Sequence, residues 1–415
     1  MVLEIRLSNF FSIKDEIVLD LRAGKSKAQK DLQANMFAYK DEQILKSVAI
    51  YGANASGKSN IIKAIRFCLS MVFCSHNNNA NADFNFSPFK FDNYPHLPSK
   101  FLIRFVMNEV EYEYSFTVTR YEIFTEELYY YPNSRRAKIF TRDETKGKTK
   151  NKIYSFGTAV RKPMDVAENT SRKTLYISRA SQMDRVIAKD IFNFLYSTFI
   201  FDGLNDGVQL IEKLYKDNRD SLLKALNIAD SDIINITMKK SPLPTKSINF
   251  SVMEQQASMQ DDILMQLDFH TFHKVNDKIP FSLSSEESSG TRHLFFMMLN
   301  IIDVVKNNKI FLIDEIERSL HCKIVEYIVE LFHASHSAQI IYTTHDTNLL
   351  NLKKLRKDQI YFVNKREDGS SDLYSLFDYK DFRDTMDVEK AYLQGRFDAV
   401  PYIDDSLENL KTIIQ

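Results

Sequence analysis

One eight-residue stretch, running from Gly52 to Ser59, restricts what this chain can fold into more than any other part of the sequence. It reads Gly-Ala-Asn-Ala-Ser-Gly-Lys-Ser, which is the G-x-x-x-x-G-K-S pattern. The apolar run before it, 48–51, is predicted as a strand, and the run after it, 60–65, is predicted as a helix. In that setting the glycines let the backbone wrap around phosphate oxygens, and the helix start adds its positive dipole end. The sequence therefore predicts a phosphate-binding loop between a strand and a helix.

Two residues of this loop have specific predicted tasks. Lys58 would reach the outer phosphates, and Ser59 would hold Mg²⁺ through its hydroxyl. The alternative is a glycine-rich turn that binds nothing, which the strand and helix on either side disfavour. The predicted phosphate-binding residues are Gly52, Asn54, Ala55, Ser56, Gly57, Lys58, Ser59 and Asn60.

Length and composition limit the functions that are open to the chain. Its 415 residues predict two or three domains, or one domain with a large insertion. Lys and Arg together number 55, as do Asp and Glu together, so no overall charge attracts the chain to nucleic acid or anionic lipid. The three cysteines fit neither a zinc site nor a disulfide framework. With no signal peptide and no bilayer-spanning apolar run, the sequence predicts a cytoplasmic protein without membrane contact.

Alternating apolar and polar residues predict a β-rich region on either side of the loop. The runs 3–7 and 16–20 predict an opening hairpin, and aromatic and β-branched runs from 101 to 156 predict an antiparallel sheet. The lysine-rich tip of this sheet, 146–152, is either a solvated turn, which is favoured, or a nucleic-acid contact. From 175 to 226 the apolar spacing is helical, without the heptads of a long coiled coil.

A second candidate segment, formed by Ser288, Ser289 and Gly290, precedes a strongly apolar helix predicted over 294–305. Hydroxyls and free N–H groups at a helix start contact an anion in some proteins and only cap the helix in others. Taken alone, this segment favours the simple cap. The carboxylates that follow it along the chain shift the balance toward an anion contact.

Two later strands carry candidate catalytic groups at their ends. The apolar run 310–313 ends in Asp314 and Glu315, and the similar run 339–344 ends in His345. Continuous apolar runs are typical of parallel strands buried on both faces, and such sheets present their ligand contacts at the carboxyl ends of the strands. Asp314 would help to hold Mg²⁺, Glu315 would take a proton from the attacking water, and His345 would sense the γ-phosphate.

Together these segments resemble the ATP-binding-cassette (ABC) superclass of P-loop ATPases. The soluble branch with the recombination-mediator and chromosome-maintenance (SMC) heads is the most similar. The matching positions are Gly52 to Ser59 for Walker A, Ser288 to Thr291 for the signature, Asp314 and Glu315 for Walker B and the catalytic glutamate, Ser319 to His321 for the D-loop, and His345 for the switch histidine.

The resemblance implies an ATP hydrolase that uses ATP and Mg²⁺, with Lys58, Glu315 and His345 as its catalytic residues. In that class the signature contacts nucleotide held by another subunit. The resemblance therefore implies a head-to-tail homodimer, or a larger oligomer, in which Ser288, Ser289 and Gly290 of one copy touch the nucleotide of the next. The signature departs from Leu-Ser-Gly-Gly-Gln, because Glu287, Ser289 and Thr291 stand where Leu, Gly and Gln are usual.

The fold expected from this resemblance is α/β: a P-loop NTPase with an ABC-type head, an antiparallel β subdomain and a compact helical insertion. Residues 1–73 would form the N-terminal ATPase lobe, and 74–160 a loop and the β subdomain. Residues 161–275 would form the helical insertion, and 276–415 the C-terminal lobe with the signature, Walker B and the switch histidine.

A narrower resemblance, which covers nearly the whole chain, is strengthened by the carboxyl-terminal run. The segments 355–363 and 391–401 are similar to the ends of bacterial AAA-labelled ATPases (AAA_15/AAA_21-like), which include subunits of PARIS-like and Septu-like anti-phage systems. This implies a nucleotide-driven sensor or scaffold that controls a toxin or nuclease encoded nearby, with a phage protein or nucleic acid as the trigger. The sequence carries no nuclease motif of its own, which fits control of a partner.

Two other functions are alternatives to this one. A DNA-repair ATPase of the recombination-mediator type would bind DNA through the tip near Lys148 and through a basic patch formed by Lys353, Lys354, Arg356 and Lys357. Salt-dependent DNA binding by the chain alone would favour that reading. A transporter's nucleotide-binding subunit is disfavoured, because the insertion is large and no coupling surface is recognisable.

Overall fold

The computed structural model describes residues 1–25, 32–78, 83–161, 163–203, 207–229, 232–251, 256–379, 382 and 386–401, with backbone alone for 245–251 and 256–264. The chain forms two compact units. Unit 1 consists of Met1–Phe201, Asn308–Glu317 and Ile328–Gln415, and unit 2 consists of Asp202–Asn307 and Arg318–Tyr327.

The regular elements of the described residues are numbered along the chain. The strands are β1 (Val2–Ser8), β2 (Ile17–Asp20), β3 (Met36–Tyr39), β4 (Glu42–Leu45), β5 (Ser47–Gly52), β6 (Ser99–Met107), β7 (Val110–Val118), β8 (Ile123–Tyr130), β9 (Ala137–Asp143), β10 (Tyr154–Phe156), β11 (Phe199–Phe201), β12 (Ile233–Ser251), β13 (Gln256–His273), β14 (Asn276–Ser282), β15 (Ile310–Ile313), β16 (Gln339–Thr344), β17 (Ile360–Lys365) and β18 (Ser371–Ser375). The helices are α1 (Lys58–Cys74), α2 (Lys150–Ile153), α3 (Pro163–Glu168), α4 (Tyr176–Gln182), α5 (Val186–Thr198), α6 (Val208–Ile228), α7 (Ser289–Lys306), α8 (Cys322–Ala334) and α9 (Val388–Leu393).

A six-stranded, mostly parallel sheet carries the candidate site. Its strand order is β11-β15-β16-β5-β17-β18, and every neighbouring pair is parallel except β17 and β18. Every residue of β5, β15 and β16 is buried, because both faces of these central strands are covered. The strands predicted at 48–51, 310–313 and 339–344 are confirmed.

A seven-stranded antiparallel sheet completes most of unit 1. Its order is β10-β9-β8-β7-β6-β1-β2, which includes the predicted opening hairpin and the sheet predicted between 101 and 156. Phe101 and Phe116 stack on its inner face with ring centroids 5.1 Å apart. The same core cluster includes Ile61 and Ile65 of α1. Burial of these apolar side chains fixes α1 behind the loop that precedes it.

Unit 2 combines two helices with a smaller sheet of order β12-β13-β14. Phe269 of β13 contacts Tyr215 of α6 at a centroid distance of 5.2 Å and Phe295 of α7 at 5.0 Å. The Tyr215 hydroxyl also donates a hydrogen bond of 2.7 Å to the carbonyl of Ile236. These contacts hold α6 and α7 against the sheet.

The structure differs from the helical insertion expected over 161–275. Helices α4, α5 and α6 occupy its first part, but β12 and β13 pair along their length from Ile233 beside His273 to Ser251 beside Gln256. Pro242 and Pro244 lie in β12, which is an edge strand and tolerates them. Because the pairing joins distant segments, local apolar spacing does not reveal it.

Parts of the expected organisation lie outside the described residues: 79–82 of the predicted loop, and 402–415 at the end of the expected C-terminal lobe. Among the described residues, no helix combines the length and the apolar character needed to cross a bilayer.

Candidate functional site

The predicted phosphate loop joins the buried strand β5 to α1, which begins at Lys58. Gly52 ends β5, and a Cβ atom there would lie 2.5 Å from the Val363 carbonyl oxygen and 2.7 Å from Ser56 Oγ. Gly57 has a φ of +112°, in the region that favours glycine. Both glycines of the motif are therefore required by the path of the backbone.

Lys58 is held inside this loop by the loop's own backbone. Its Nζ donates to the carbonyl oxygens of Gly52 at 2.8 Å and Ala53 at 2.9 Å, and the residue is only 6% exposed. Burial lowers the pKa of Lys58 to about 8, against the opposing charges of Asp314, Glu317 and Glu315. The ammonium group is thus partly desolvated, which strengthens its attraction for an anion.

Two serines that the sequence analysis missed enclose the loop. The Ser371 hydroxyl, on β18, donates to the Ser56 carbonyl oxygen at 2.5 Å and lies 2.7 Å from Ser12 Oγ. Ser12 Oγ in turn accepts a 2.7 Å hydrogen bond from Asn60 Nδ2. A Cβ atom at Gly57 would lie 2.0 Å from Ser371 Oγ, so this enclosure leaves no room for a side chain there.

The loop's polar groups fit a phosphate ligand with its magnesium ion. Ser56 Oγ is buried and has no hydrogen-bond partner in the part of the chain that the structure describes. Buried polar atoms are almost always paired, so this hydroxyl points to a ligand or water. Ser59 and Asp314 are only partly buried and would supply a hydroxyl and a carboxylate to Mg²⁺. Mg²⁺ commonly takes one or two protein ligands and completes its shell with phosphate and water.

One threonine hydroxyl positions the two carboxylates predicted for Walker B. Thr343 Oγ1, on β16, donates to Asp314 Oδ1 at 2.5 Å and accepts from the Glu315 backbone N–H at 2.8 Å. The Ile316 N–H also bonds to the Thr343 carbonyl oxygen at 3.1 Å. Glu315 has a φ of +55°, which is uncommon for a non-glycine residue. The segment after β15 is therefore fixed by β16 at successive residues.

His345 lies at the end of β16, as predicted, and its side chain is exposed. Its backbone N–H donates to Glu317 Oε1 at 2.6 Å. Desolvation lowers the pKa of His345, and the positive charge of Lys58 lowers it further. The lowered pKa favours the neutral imidazole, which has one donor and one acceptor nitrogen.

The parallel order β15-β16-β5 brings these groups to one edge of the sheet. Ile313 lies beside Tyr342, and Tyr342 lies beside Ala49, so the carboxyl ends of these parallel strands lie at the same edge of the sheet, with β16 and β5 running slightly past the end of β15. Because these groups are close together, the charge of Lys58 lowers the pKa of His345. The charges of Asp314, Glu317 and Glu315 act on Lys58 in turn and oppose the lowering of its pKa. Unit 1 thus brings together the predicted Lys58, Ser59, Asp314, Glu315 and His345.

The predicted signature lies in unit 2, at the start of α7. Ser288 caps this helix: its Oγ accepts from the Thr291 N–H at 3.0 Å and lies 2.9 Å from Thr291 Oγ1. A Cβ atom at Gly290 would lie 2.8 Å from the Ser319 carbonyl oxygen, so the signature packs closely on the predicted D-loop. Ser289 is the first residue of the helix. The helix cap that the sequence favoured for Ser288 taken alone is present.

A glycine loop between a buried parallel strand and a helix, with an Asp-Glu pair and a histidine at the ends of neighbouring strands, defines a P-loop ATPase of the ABC/SMC-like type. The sequence profile of one family matches residues 47–351, and that family is described as "AAA domain, putative AbiEii toxin, Type IV TA system". The match spans more than half of the chain, and the chain belongs to this family. No curated protein sequence matches the chain.

Solved structures similar to this chain include several SMC head domains. The SMC head bound to the C-winged helix domain of ScpA has 16% identity and a TM-score of 0.45, over 94% of this chain and 99% of that one. The SMC head of Thermotoga maritima has 14% identity and a TM-score of 0.39, over 90% and 98%. The head from Pyrococcus furiosus, with an extended coiled coil and bound to the C-terminal domain of ScpA, has 16% identity and a TM-score of 0.38, over 95% and 98%.

Proposed function

We propose that this chain binds ATP with Mg²⁺ at the loop Gly52–Ser59, hydrolyses it, and uses the cycle to control a partner effector in bacterial anti-phage defence. The observation that carries the proposal is the convergence of Lys58, Asp314, Glu315 and His345 at one edge of the parallel sheet. Phosphoryl transfer needs positioning and charge stabilisation more than covalent chemistry, and this edge supplies both.

Each side chain has one task in the proposed hydrolysis. Lys58 and the N–H groups at the start of α1 hold the phosphate oxygens. Glu315 orients a water molecule and takes its proton as the water oxygen bonds to the γ-phosphorus and the bond to the ADP oxygen breaks. His345, as a neutral imidazole, hydrogen-bonds the γ-phosphate. Mg²⁺ on Ser59 and Asp314 would supply further positive charge against the phosphates.

The signature completes this site from a second copy of the chain. The start of α7 presents N–H groups and the hydroxyls of Ser288 and Ser289, an arrangement that binds anions. In the proposed head-to-tail homodimer, these groups and Gly290 of one copy contact the γ-phosphate held by Lys58 of the other. ATP then joins the two copies, and its hydrolysis lets them separate.

The description of the family as a putative toxin of a type IV toxin–antitoxin system supports a role in a two-component system of this kind. Control of an effector, triggered by a phage protein or nucleic acid in the cytoplasm, is the finer part of the proposal. The alternative, direct DNA binding, finds less support in the basic patch at 353–357. Arg356 is buried and its guanidinium bonds both carboxylate oxygens of Asp358, while Lys357 Nζ donates to the Phe382 carbonyl oxygen at 2.8 Å. These two cations already have partners within the protein.

Replacing Lys58 with Ala tests nucleotide binding. Hydrogen bonds from a charged donor contribute about 1.5–3 kcal/mol, so the affinity for ATP should fall at least about tenfold and hydrolysis should be lost. Isothermal titration with ATP and Mg²⁺ and a phosphate-release assay measure the two effects. The control is Lys63→Ala, which removes an exposed lysine from the same helix. Equal ATP affinity in Lys58→Ala and Lys63→Ala would refute the proposed binding loop.

Replacing Glu315 with Gln tests both the base and the partner. Loss of a general base should lower kcat by about 10²–10⁴-fold while ATP stays bound and the dimer persists in size-exclusion chromatography. Hydrolysis at the parental rate would refute the role of Glu315 as the base. The control is Glu330→Gln, which changes an exposed glutamate on α8.

The Glu315→Gln dimer also tests the partner: this trapped dimer should co-purify with the product of the adjacent reading frame. Salt-dependent DNA binding by the chain alone, without such a partner, would instead favour the DNA-repair function.

A further inference from the structure

Glu317 connects the segment after β15 to the segment after β16, and it belongs to none of the predicted site motifs. It lies three residues beyond Asp314, and its Oε1 accepts the backbone N–H of His345 at 2.6 Å. This N–H belongs to the first residue beyond β16. The next residue is held by a different bond, from the Asp346 N–H to Thr344 Oγ1 at 3.0 Å. The main chain at His345 is therefore fixed by a side chain from the Walker B segment.

The other oxygen of this carboxylate lies in an unusual environment. Glu317 Oε2 is buried and has no hydrogen-bond partner among the described residues, and the same holds for Asp346 Oδ2 and for the hydroxyls of Tyr51 and Tyr342. Tyr51 and Tyr342 are fully buried and lie on the neighbouring strands β5 and β16. An unpaired buried carboxylate oxygen is unfavourable, so stability of the fold does not explain this residue. Local arrangements that cost stability are concentrated at functional sites.

We propose that Glu317 is a positioning residue: it holds the backbone at His345 so that the imidazole meets the γ-phosphate while Glu315 meets the water. The proposal rests on the ATP hydrolysis proposed above. In this proposal Glu317 touches neither substrate nor reacting atoms: it positions His345 through the backbone N–H, and its charge acts on Lys58 and His345 without a direct contact. Because Glu317 and Glu315 belong to one short segment, the base and the sensor move together, and hydrolysis depends on the bond between Glu317 and His345.

Variants that separate the acceptor from the volume of the side chain test this role. Glu317→Gln keeps an acceptor oxygen, Glu317→Met keeps the volume without the acceptor, and Glu317→Ala removes both. Outer-shell groups that orient metal ligands are commonly worth about 10–100-fold, and we expect an effect of similar size for a group that orients His345. Ala and Met should lower kcat at least about tenfold with ATP affinity within about threefold of the parent, and Gln should recover most of the loss. Glu330→Ala, an exposed glutamate, is the control.

The measurements are kcat, ATP affinity by titration and the melting temperature of each variant. If Glu317 were only structural, kcat would fall in proportion to the melting temperature, and that result overturns the proposal. Parental kcat in the Ala or Met variant overturns it as well, as does a loss of kcat in the Gln variant as large as in the Met variant. If Ala does not fold, the pair Gln and Met decides alone. A parental chain that hydrolyses no ATP would instead refute the proposed function, which keeps the two failures distinct.

Discussion

At the scale of single residues, one buried hydroxyl organises the site. Thr343 is fully buried, and its Oγ1 both donates to Asp314 Oδ1 and accepts the Glu315 N–H. A hydroxyl has one donor hydrogen and two acceptor sites, so it can serve both neighbours at once. The orientation of the proposed magnesium ligand and the proposed base thus depends on the same atom.

Replacing Thr343 with Val tests this dependence. Valine keeps the shape but leaves the Glu315 N–H and the Asp314 carboxylate without their partner, at a cost of about 1–3 kcal/mol. We expect kcat to fall by about tenfold, with a lowered melting temperature. Thr343→Ser restores the hydroxyl and is expected to recover both quantities in a phosphate-release assay and a thermal melt. Equal kcat in the Val and Ser variants would contradict the role of Thr343.

At the scale of elements, the sequence predicted the strands with a clear local apolar pattern, both those that carry the site and those of the antiparallel sheet. Burial on both faces produces the continuous apolar runs of β15 and β16, so their bounds could be read directly. The phosphate loop was equally visible, because its G-x-x-x-x-G-K-S motif lies within eight consecutive residues. These signals are local, and each is complete within a few residues.

The missed features depend on contacts between distant segments. Ser12 and Ser371 meet across 359 positions of the chain, and neither belongs to a motif. Thr343 and Glu317 act through partners 28 or 29 residues away. The long pairing of β12 with β13 was missed for the same reason, since its edge position and not its local sequence permits two prolines. Only the folded chain shows these relationships.

At the scale of the whole molecule, the two halves of the proposed site belong to different units. The loop, Asp314, Glu315 and His345 lie in unit 1, and Ser288 with Gly290 lies in unit 2. A head-to-tail dimer with twofold symmetry would form two sites, each made from one unit of each copy. Each chain then contributes its loop to one site and its signature to the other, which makes the two contributions separable by mutation.

Mixing two inactive variants tests this assembly. Lys58→Ala inactivates the loop of its own chain, and Ser288→Arg blocks the signature with a bulky side chain, so each variant alone should hydrolyse almost no ATP. A dimer of one copy of each has one site with an intact loop and an intact signature. Random pairing should then restore about a quarter of the parental rate, because about half of the dimers are mixed and each has one working site. An equal mixture of parent with Lys58→Ala contains dimers with the same single intact site; it should keep about half of the parental rate if one site works alone and about a quarter if it does not. If that mixture keeps about half and the two variants together stay inactive, the signature does not act on the nucleotide of a second copy.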